Sequence, residues 1–201
     1  LGAAGIRLLT DGLAAPHGIV PPVAQLVLGT DGRVGWGAAG AVGLVAVDLA
    51  ARPDAAAPGG RLLGSTAAAA PDGLAADVHS VLATANTVFA LTRRAGLMAF
   101  DGTDPHRPTR LALTDGRLAV IDGGSVPVQL AADGGRLYVP DAAGTVHVVD
   151  VRRPADPRVA GQLTKVGRDD DRLVALAADG ARLYALTTDG RTSRVHALDV
   201  G

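Results

Sequence analysis

Leu97-Met98-Ala99-Phe100-Asp101 is one of four short apolar runs in this chain, each of which ends in an aspartate. The other three are Leu44-Val45-Ala46-Val47-Asp48, Val146-His147-Val148-Val149-Asp150 and Val195-His196-Ala197-Leu198-Asp199. The closing aspartates are 53, 49 and 49 residues apart. A fixed period of about 40–50 residues indicates a repeat architecture in which each copy supplies one supersecondary unit.

Around each run, turn residues separate further short strands. In the third copy, Asp133-Gly134-Gly135 reads as a tight turn, because glycine readily adopts positive φ. The strands predicted for this copy are 128–131, 136–139, 146–149 and 158–161. One copy therefore predicts one four-stranded antiparallel sheet, and the other copies follow the same template.

The third strand of each copy is apolar at successive positions, which is typical of a strand covered on both faces. Sheets that stack face to face around an axis, as the blades of a β-propeller do, cover their strands in this way. We therefore predict an all-β protein, a four-bladed β-propeller forming a single domain over residues 1–201. The predicted blades are 22–64, 78–114, 126–162, and 173–201 together with 5–10.

The fourth copy has no fourth strand after Asp199, whereas a spare strand-like segment, 6–10, lies near the N-terminus. This segment resembles the fourth strands that begin at Arg61 and Arg110. We expect it to pair beside 194–198 and close the ring, which would remove an open sheet edge. The alternative is that the chain is part of a larger ring, with 6–10 completing a blade that precedes it.

The composition excludes several classes of function. The formal net charge is -1, so no strongly basic field favours nucleic acid. There is no cysteine, which excludes disulfides and thiolate chemistry. No apolar stretch has the length of about 20 residues that a transmembrane helix needs. No Walker A motif or Gly-x-Ser-x-Gly elbow is present.

The run Gly96 to Asp101, and the pattern from Val146 through Pro154 to Pro157, resemble the LVIVD repeat family of bacterial and archaeal β-propellers. The resemblance covers nearly the whole chain through its four copies. It implies a propeller fold and an extracytoplasmic setting, either secreted or at the cell surface. Its motifs are structural and imply no activity.

The four repeated aspartates are interpreted as turn residues whose carboxylates accept backbone N–H bonds. His147 and His196 occupy equivalent places and are interpreted as packed histidines. The run Asp169-Asp170-Asp171 offers three carboxylates, and Ca²⁺ prefers such oxygen ligands. The favoured interpretation of this run is a solvated loop paired with the flanking Arg168 and Arg172.

Propeller loops gather at one end of the blades, and we refer to this end as the loop face. Its predicted segments lie around residues 10–22, 65–77, 114–125 and 163–172, with 37–42, 92–95, 140–143 and 187–192. The candidate ligand-binding residues are His17, His79, Asp141, Asp169, Asp170 and Asp171. No catalytic or metal-ligating residue is identified.

These observations favour a non-catalytic binding module for a protein or small-molecule ligand on the loop face. No cofactor is evident, although a divalent metal is compatible with the carboxylates and histidines. The alternative is a small propeller enzyme, a metal-assisted lyase or hydrolase with Asp and His at the channel mouth. A third possibility is the propeller of a longer surface protein with its activity elsewhere. The sequence does not specify the oligomeric state.

Overall fold

A computed structural model describes residues 23–49, 61–69, 73–93, 95–113, 131–133, 135–140, 144–164 and 166–200. Every regular element in this part of the chain is a β-strand. The strands are β1 Gln25–Leu28, β2 Val34–Ala38, β3 Leu44–Asp48, β4 Arg61–Thr66, β5 Val78–Thr84, β6 Thr87–Thr92, β7 Gly96–Asp101, β8 Thr109–Leu113, β9 Ala131–Asp133, β10 Arg136–Pro140, β11 Val146–Asp150, β12 Arg158–Leu163, β13 Arg172–Asp179, β14 Arg182–Thr188 and β15 Ser193–Asp199.

The strands form four separate antiparallel sheets, each built from consecutive strands. Sheet 1 contains β1–β4, sheet 2 contains β5–β8 and sheet 3 contains β9–β12. Sheet 4 contains β13–β15, so it has three described strands where the other sheets have four. The predicted all-β organisation, with one sheet per sequence repeat, is therefore confirmed.

The turn between the first two strands has the same backbone requirement in every sheet. A residue with positive φ occurs there in each case: Gly32 at 67°, Ala85 at 45°, Gly135 at 84° and Gly180 at 60°. Glycine adopts this left-handed conformation without steric cost, which explains why three of the four copies carry it. In sheet 1, the Asp31 carboxylate also accepts the N–H groups of Arg33 and Val34 at 2.9 and 3.1 Å.

A β-bulge recurs at one repeat position in the first three sheets. The register with the outer strand shifts between Ala46 and Val47, between Ala99 and Phe100, and between Val148 and Val149. Each shift lies at the two residues before the closing aspartate. Because a bulge bends and twists its strand, a repeated bulge gives the outer halves of these sheets a common twist.

Across the described segments the core consists of three apolar clusters, and each one joins two consecutive sheets. Trp36, Leu44, Met98 and Phe100 are among the residues between sheets 1 and 2. Phe89, Leu97, Leu137 and Val149 are among those between sheets 2 and 3. Tyr138, Val146, Leu183 and Ala185 are among those between sheets 3 and 4. The sheets therefore stack face to face in chain order.

Ring closure stays a prediction. The four sheets do not form a closed ring across the described residues, since no described strand pairs beside β15. The segment predicted to close the ring, 6–10, and the irregular segment 115–123 both lie outside the described residues. In the part of the chain that is described, no helix is long and apolar enough to cross a membrane.

Leu97→Ala tests the face-to-face packing. Leu97 is fully buried between sheets 2 and 3, so its truncation should lower the free energy of unfolding by about 2–5 kcal/mol. Val159→Ala is the control, because Val159 in β12 is 50% exposed and its truncation should change stability by less than about 0.5 kcal/mol. Urea denaturation measures both, and equal losses would contradict the packing of sheet 2 on sheet 3.

Candidate functional site

Asp171 is the centre of a polar cluster at the loop end of sheet 4. Its side chain is 0% exposed, although it lies in the connection just before β13. The carboxylate accepts the backbone N–H of Arg168 at 3.1 Å and the hydroxyl of Thr187 at 3.0 Å. Arg194 Nη1 donates to its other oxygen at 2.8 Å. These donors lower the pKa of Asp171, with the Arg168 backbone bond as the largest cause.

Arg194 joins this connection to the neighbouring hairpin. Its Nη2 donates to Asp189 Oδ2 at 3.0 Å, while its Nη1 holds Asp171. Asp189 in turn accepts the backbone N–H groups of Thr192 at 2.7 Å and Arg191 at 2.8 Å. These two backbone bonds, followed by Arg194, lower the pKa of Asp189 to about 2. One guanidinium therefore ties segment 166–171 to hairpin 189–192.

The cluster extends inward to a histidine. Thr187 is fully buried, and its Oγ1 lies 2.9 Å from Nε2 of His196. The single hydroxyl proton of Thr187 is donated to Asp171, so Nε2 of His196 carries the hydrogen in this bond. His196 is therefore a hydrogen-bonded residue of the packed structure, which agrees with its interpretation from the sequence.

The acidic run does not present three carboxylates together. Asp169 and Asp170 are exposed, whereas the Asp171 side chain is buried and accepts hydrogen bonds from Thr187 and Arg194. Its arginine partner is Arg194, 23 residues further along the chain. From the sequence we expected the acidic run to pair with the flanking Arg168 and Arg172. Asp171 differs from this expectation, because Arg168 contributes to it only a backbone N–H.

His79 lies in a different polar region, at the loop end of sheet 2. Val78 pairs with Thr92 and Ser80 with Leu91, so His79 is the extra residue of a bulge in the innermost strand. The residue is 7% exposed, and neither ring nitrogen has a hydrogen-bond partner among the described residues. Burial is the main cause of the lowered pKa of His79, and the charge of Arg93 lowers this pKa further. The backbone and the carboxylate of Asp77 raise it.

Asp77 and Arg93 form a second tether next to His79. Asp77 adopts a left-handed φ of 57°, and its Oδ2 lies 3.1 Å from Arg93 Nε. Arg93 also donates its backbone N–H to the Asp77 carbonyl at 3.2 Å. Sheet 4 has a similar pairing. In both sheets an aspartate just before the innermost strand is paired with an arginine that follows the second strand in the chain. This pairing was not predicted from the sequence, although an aspartate precedes the innermost strand in both sheets.

Two of the candidate residues, His17 and Asp141, lie outside the described residues. Asp171 and His79 are buried in separate regions, and Asp169 and Asp170 are exposed beside Asp171. Within the described segments, no group of three His, Cys, Asp or Glu residues could hold a metal ion. The described part of the loop face therefore offers ordered loops with charged side chains rather than a converged metal-binding centre.

Two of the four repeated aspartates, Asp101 and Asp150, have the structural role predicted for them. Asp101 accepts the N–H of Thr103 at 2.9 Å, and Asp150 accepts the N–H of Arg152 at 3.0 Å. The Arg152 side chain, followed by its backbone, lowers the pKa of Asp150 to about 2.

An open groove of about 440 Å³ lies beside Asp150, at the end of sheet 3 away from the loop face, and is lined by Asp150, Arg152, Arg153, Asp156 and Arg158. Arg152 is paired with Asp150, and Arg158 is paired with Asp156. In each pair the arginine Nε lies 3.0 Å from a carboxylate oxygen. Two of the three arginines are therefore already neutralised within the groove, which makes it a poor anion site.

Comparison with known proteins supports the fold. No family model and no curated protein matches the sequence. Among solved structures, the chain is similar to the computationally designed Ika4 protein, with 16% identity, a TM-score of 0.59, and coverage of 95% of this chain and 99% of Ika4. It is similar to the designed Ika8 protein, with 15% identity, a TM-score of 0.62, and coverage of 92% of this chain and 48% of Ika8.

BamB from Moraxella catarrhalis is also similar, with 14% identity, a TM-score of 0.61, and coverage of 90% of this chain and 50% of BamB. The chain thus spans about half the length of Ika8 and BamB, and nearly the whole of Ika4. At these identities the likeness shows the fold alone. Together with the stacked sheets, it shows that this protein has a β-propeller type of fold.

Asp171→Asn should destabilise the protein near neutral pH, because the amide cannot form the ion pair with Arg194. The pKa of Asp171 is lowered by folding, so its contribution is present above the ordinary pKa of 3.8 and is lost as the pH falls through the folded value. The difference between variant and wild type in urea denaturation should therefore shrink as the pH falls below about 4. Asp170→Asn, at an exposed position, is the control, and a pH-independent loss would contradict the role of the charge.

His79→Leu tests the buried imidazole. Its pKa is lowered by folding, so the unfolded chain binds the proton more tightly, and stability should fall as the pH drops below the ordinary value of 6.5. The variant should lose less stability than wild type when thermal unfolding is compared between about pH 7 and pH 5. An unchanged slope in His79→Leu would contradict the burial of a neutral ring.

Proposed function

We propose that this protein is a non-catalytic β-propeller binding module, whose protein or small-molecule ligand binds the loop face above sheet 4. The observation that carries this proposal is the bridge of Arg194 between Asp171 and Asp189, at 2.8 and 3.0 Å. It fixes two adjacent loops before any ligand arrives. Loops held in their bound conformation cost less entropy on association, which favours binding.

The side chains around this bridge suit polar recognition. Asp170 and Arg191 are exposed on the two tethered loops, within a few residues of the anchoring carboxylates. Binding residues commonly lie on loops that a rigid scaffold positions. The buried sheets of the propeller provide such a scaffold, so the ligand would meet a surface of defined shape.

A second candidate function, a metal-assisted lyase or hydrolase, is favoured by one observation. His79 is buried in the innermost strand with both ring nitrogens unpartnered among the described residues. A buried histidine with a lowered pKa is neutral at physiological pH, which is the form that binds metals. A centre of this kind would need further ligands beside His79.

We also infer from the LVIVD resemblance that the protein works outside the cytoplasm, in a secreted form or at the cell surface. From the four sequence repeats we further propose four blades, with segment 6–10 as the strand that completes the fourth sheet beside β15. The first inference concerns where the protein works and the second concerns its number of blades. Neither depends on which ligand binds.

The binding proposal is tested by immobilising the purified protein and identifying captured ligands by mass spectrometry. Wild type is compared with an Asp170→Asn, Arg191→Gln double variant, whose exposed positions should not affect folding. The matched control is Arg153→Gln at the opposite end of sheet 3. A ligand retained by wild type and the control, but lost with the double variant, is the expected result.

Metal analysis separates the two candidate functions. The binding module should contain no stoichiometric metal, and its melting temperature should be the same with and without a chelator. Stoichiometric metal together with a chelator-lowered melting temperature, both abolished in His79→Leu, would favour the metal-assisted enzyme. A ligand whose capture is equally strong for the double variant would overturn the assignment to the loop face of sheet 4.

A further inference from the structure

The chain segment that leads into sheet 2 joins sheets 1 and 2 at the loop end. We refer to residues 75–79 as the entry segment. Val78 and Gly40 exchange two backbone hydrogen bonds of 2.9 Å, which connect the entry segment to the hairpin between β2 and β3. The Ala76 N–H donates to the Ala68 carbonyl at 2.7 Å, which connects it to the chain that follows β4. A few main-chain bonds therefore hold these two loop ends together.

His79 ends the entry segment at a place that disfavours a charged ring. It is 7% exposed, and it is the extra residue of the bulge between Val78 and Ser80. Burial removes water from an imidazolium ion, so burial lowers the pKa of His79. Near neutral pH the joined sheets therefore contain His79 as a neutral ring.

The charged neighbours of His79 give little support to a proton. Among the described residues, the charges that act on the ring are those of Asp77 and Arg93. Asp77 is already paired, since its Oδ2 lies 3.1 Å from Arg93 Nε, and Arg93 itself repels a second positive charge. The other elements packed around the entry segment are 39–43, 66–69, β1, β2 and β6, and their sequences contain no ionisable side chain.

Three further ionisable residues belong to this end of the two sheets. Arg110 donates to the Ala69 carbonyl at 3.3 Å, and Ala69 bridges to Ala75 of the entry segment. Asp72 and Arg94 lie outside the described residues. Across the described segments, His79 is thus the group at this junction that changes charge between pH 5 and pH 7.

A proton on His79 can be accommodated in two ways, and both act on the entry segment. The imidazolium can take the Asp77 carboxylate from Arg93, or the ring can move out into water. Asp77 has a left-handed φ of 57°, a conformation that persists where surrounding contacts hold it. Arg93 supplies a second such contact, because its backbone N–H donates to the Asp77 carbonyl at 3.2 Å. A change at Asp77 or His79 acts directly on Val78, which lies between them in the chain.

We propose that protonation of His79 releases the entry segment from sheet 1, so that the loop ends of sheets 1 and 2 are joined near neutral pH and separate in mild acid. Release breaks the two bonds between Val78 and Gly40 and the bond from Ala76 to Ala68. It exposes Ala76 and Val78, which are both 0% exposed in the joined form. The loop face would then change shape above sheets 1 and 2, whichever ligand binds above sheet 4.

The direction of the response follows from the proton affinities of the two forms. In the released form the hydrated ring has about the ordinary pKa of 6.5, whereas the pKa of His79 in the joined form is lower because the ring is buried. A fall in pH through this range therefore favours release. Between pH 7 and pH 5 the equilibrium constant for release can rise by at most about 25-fold, the limit reached when the joined form binds no proton.

Amide hydrogen exchange of the wild-type chain, followed by NMR at pH 7, 6 and 5, tests this proposal. A chelator is present throughout, so that a bound metal does not contribute. After correction for the intrinsic exchange rates, the protection factors of Gly40, Ala76 and Val78 should fall several-fold from pH 7 to pH 5. The amides of β11, which pair within sheet 3, are the internal control and should keep their protection.

Two substitutions assign the response to the ring. His79→Gln keeps a polar side chain that does not titrate, and His79→Leu replaces the ring with an apolar one. In either variant the protection of Gly40 and Val78 should no longer depend on pH. The wild-type His79 ring, titrated through its own NMR signals, needs no variant and should show a pKa below 6.5.

Three results would overturn the proposal. The first is unchanged protection of Gly40 and Val78 in the wild-type chain between pH 7 and pH 5. The second is an equal fall in the β11 amides, which would mean that the whole protein unfolds rather than the junction alone. The third is a pH response that survives in a folded His79→Gln or His79→Leu chain.

Discussion

Burial of both faces of every inner sheet is the constraint on which this structure depends. In β7, Leu97 and Ala99 pack towards sheet 3, while Met98 and Phe100 pack towards sheet 1. A sheet with two apolar faces is unstable alone, so each repeat needs a neighbour on either side. This requirement explains the continuous apolar runs and the common twist that repeated bulges provide. It also leaves only the sheet ends available for polar chemistry.

The polar groups at the loop end are therefore arranged to satisfy each other. Asp171 is covered by its own connection, yet three donors from three chain segments compensate for the loss of water. In sheet 2, Asp77 and Arg93 form a similar ion pair. It lies beside the buried His79, whose ring nitrogens have no hydrogen-bond partner among the described residues. The two sites therefore differ in their effect. The hydrogen-bonded carboxylates fix loops, whereas the His79 ring, without a described hydrogen-bond partner, remains available for a proton or a ligand.

The strands and their order followed from the sequence because they depend on local patterns. Apolar runs, turn glycines and the closing aspartates each act within a few residues, as the bond from Thr103 to Asp101 illustrates. The partner of Asp171 was not predictable in this way. Arg194 lies 23 residues away and meets Asp171 only after β13, β14 and β15 have paired. His79 could be placed at the start of a strand, but the bulge that makes it an extra residue of β5 has no signal in the local sequence pattern.

The last sheet of the stack shows where this constraint is not met among the described residues. An open array of repeats stays soluble when its terminal repeats carry polar outer faces. Here the terminal positions keep the apolar residues of the interior, with Val195 where Leu44, Leu97 and Val146 are fully buried. Substituting polar residues at these positions would cost the interior nothing, since they contact no inner sheet. The predicted closure of the ring would cover these positions, as a continuation of the packing that holds each pair of sheets together.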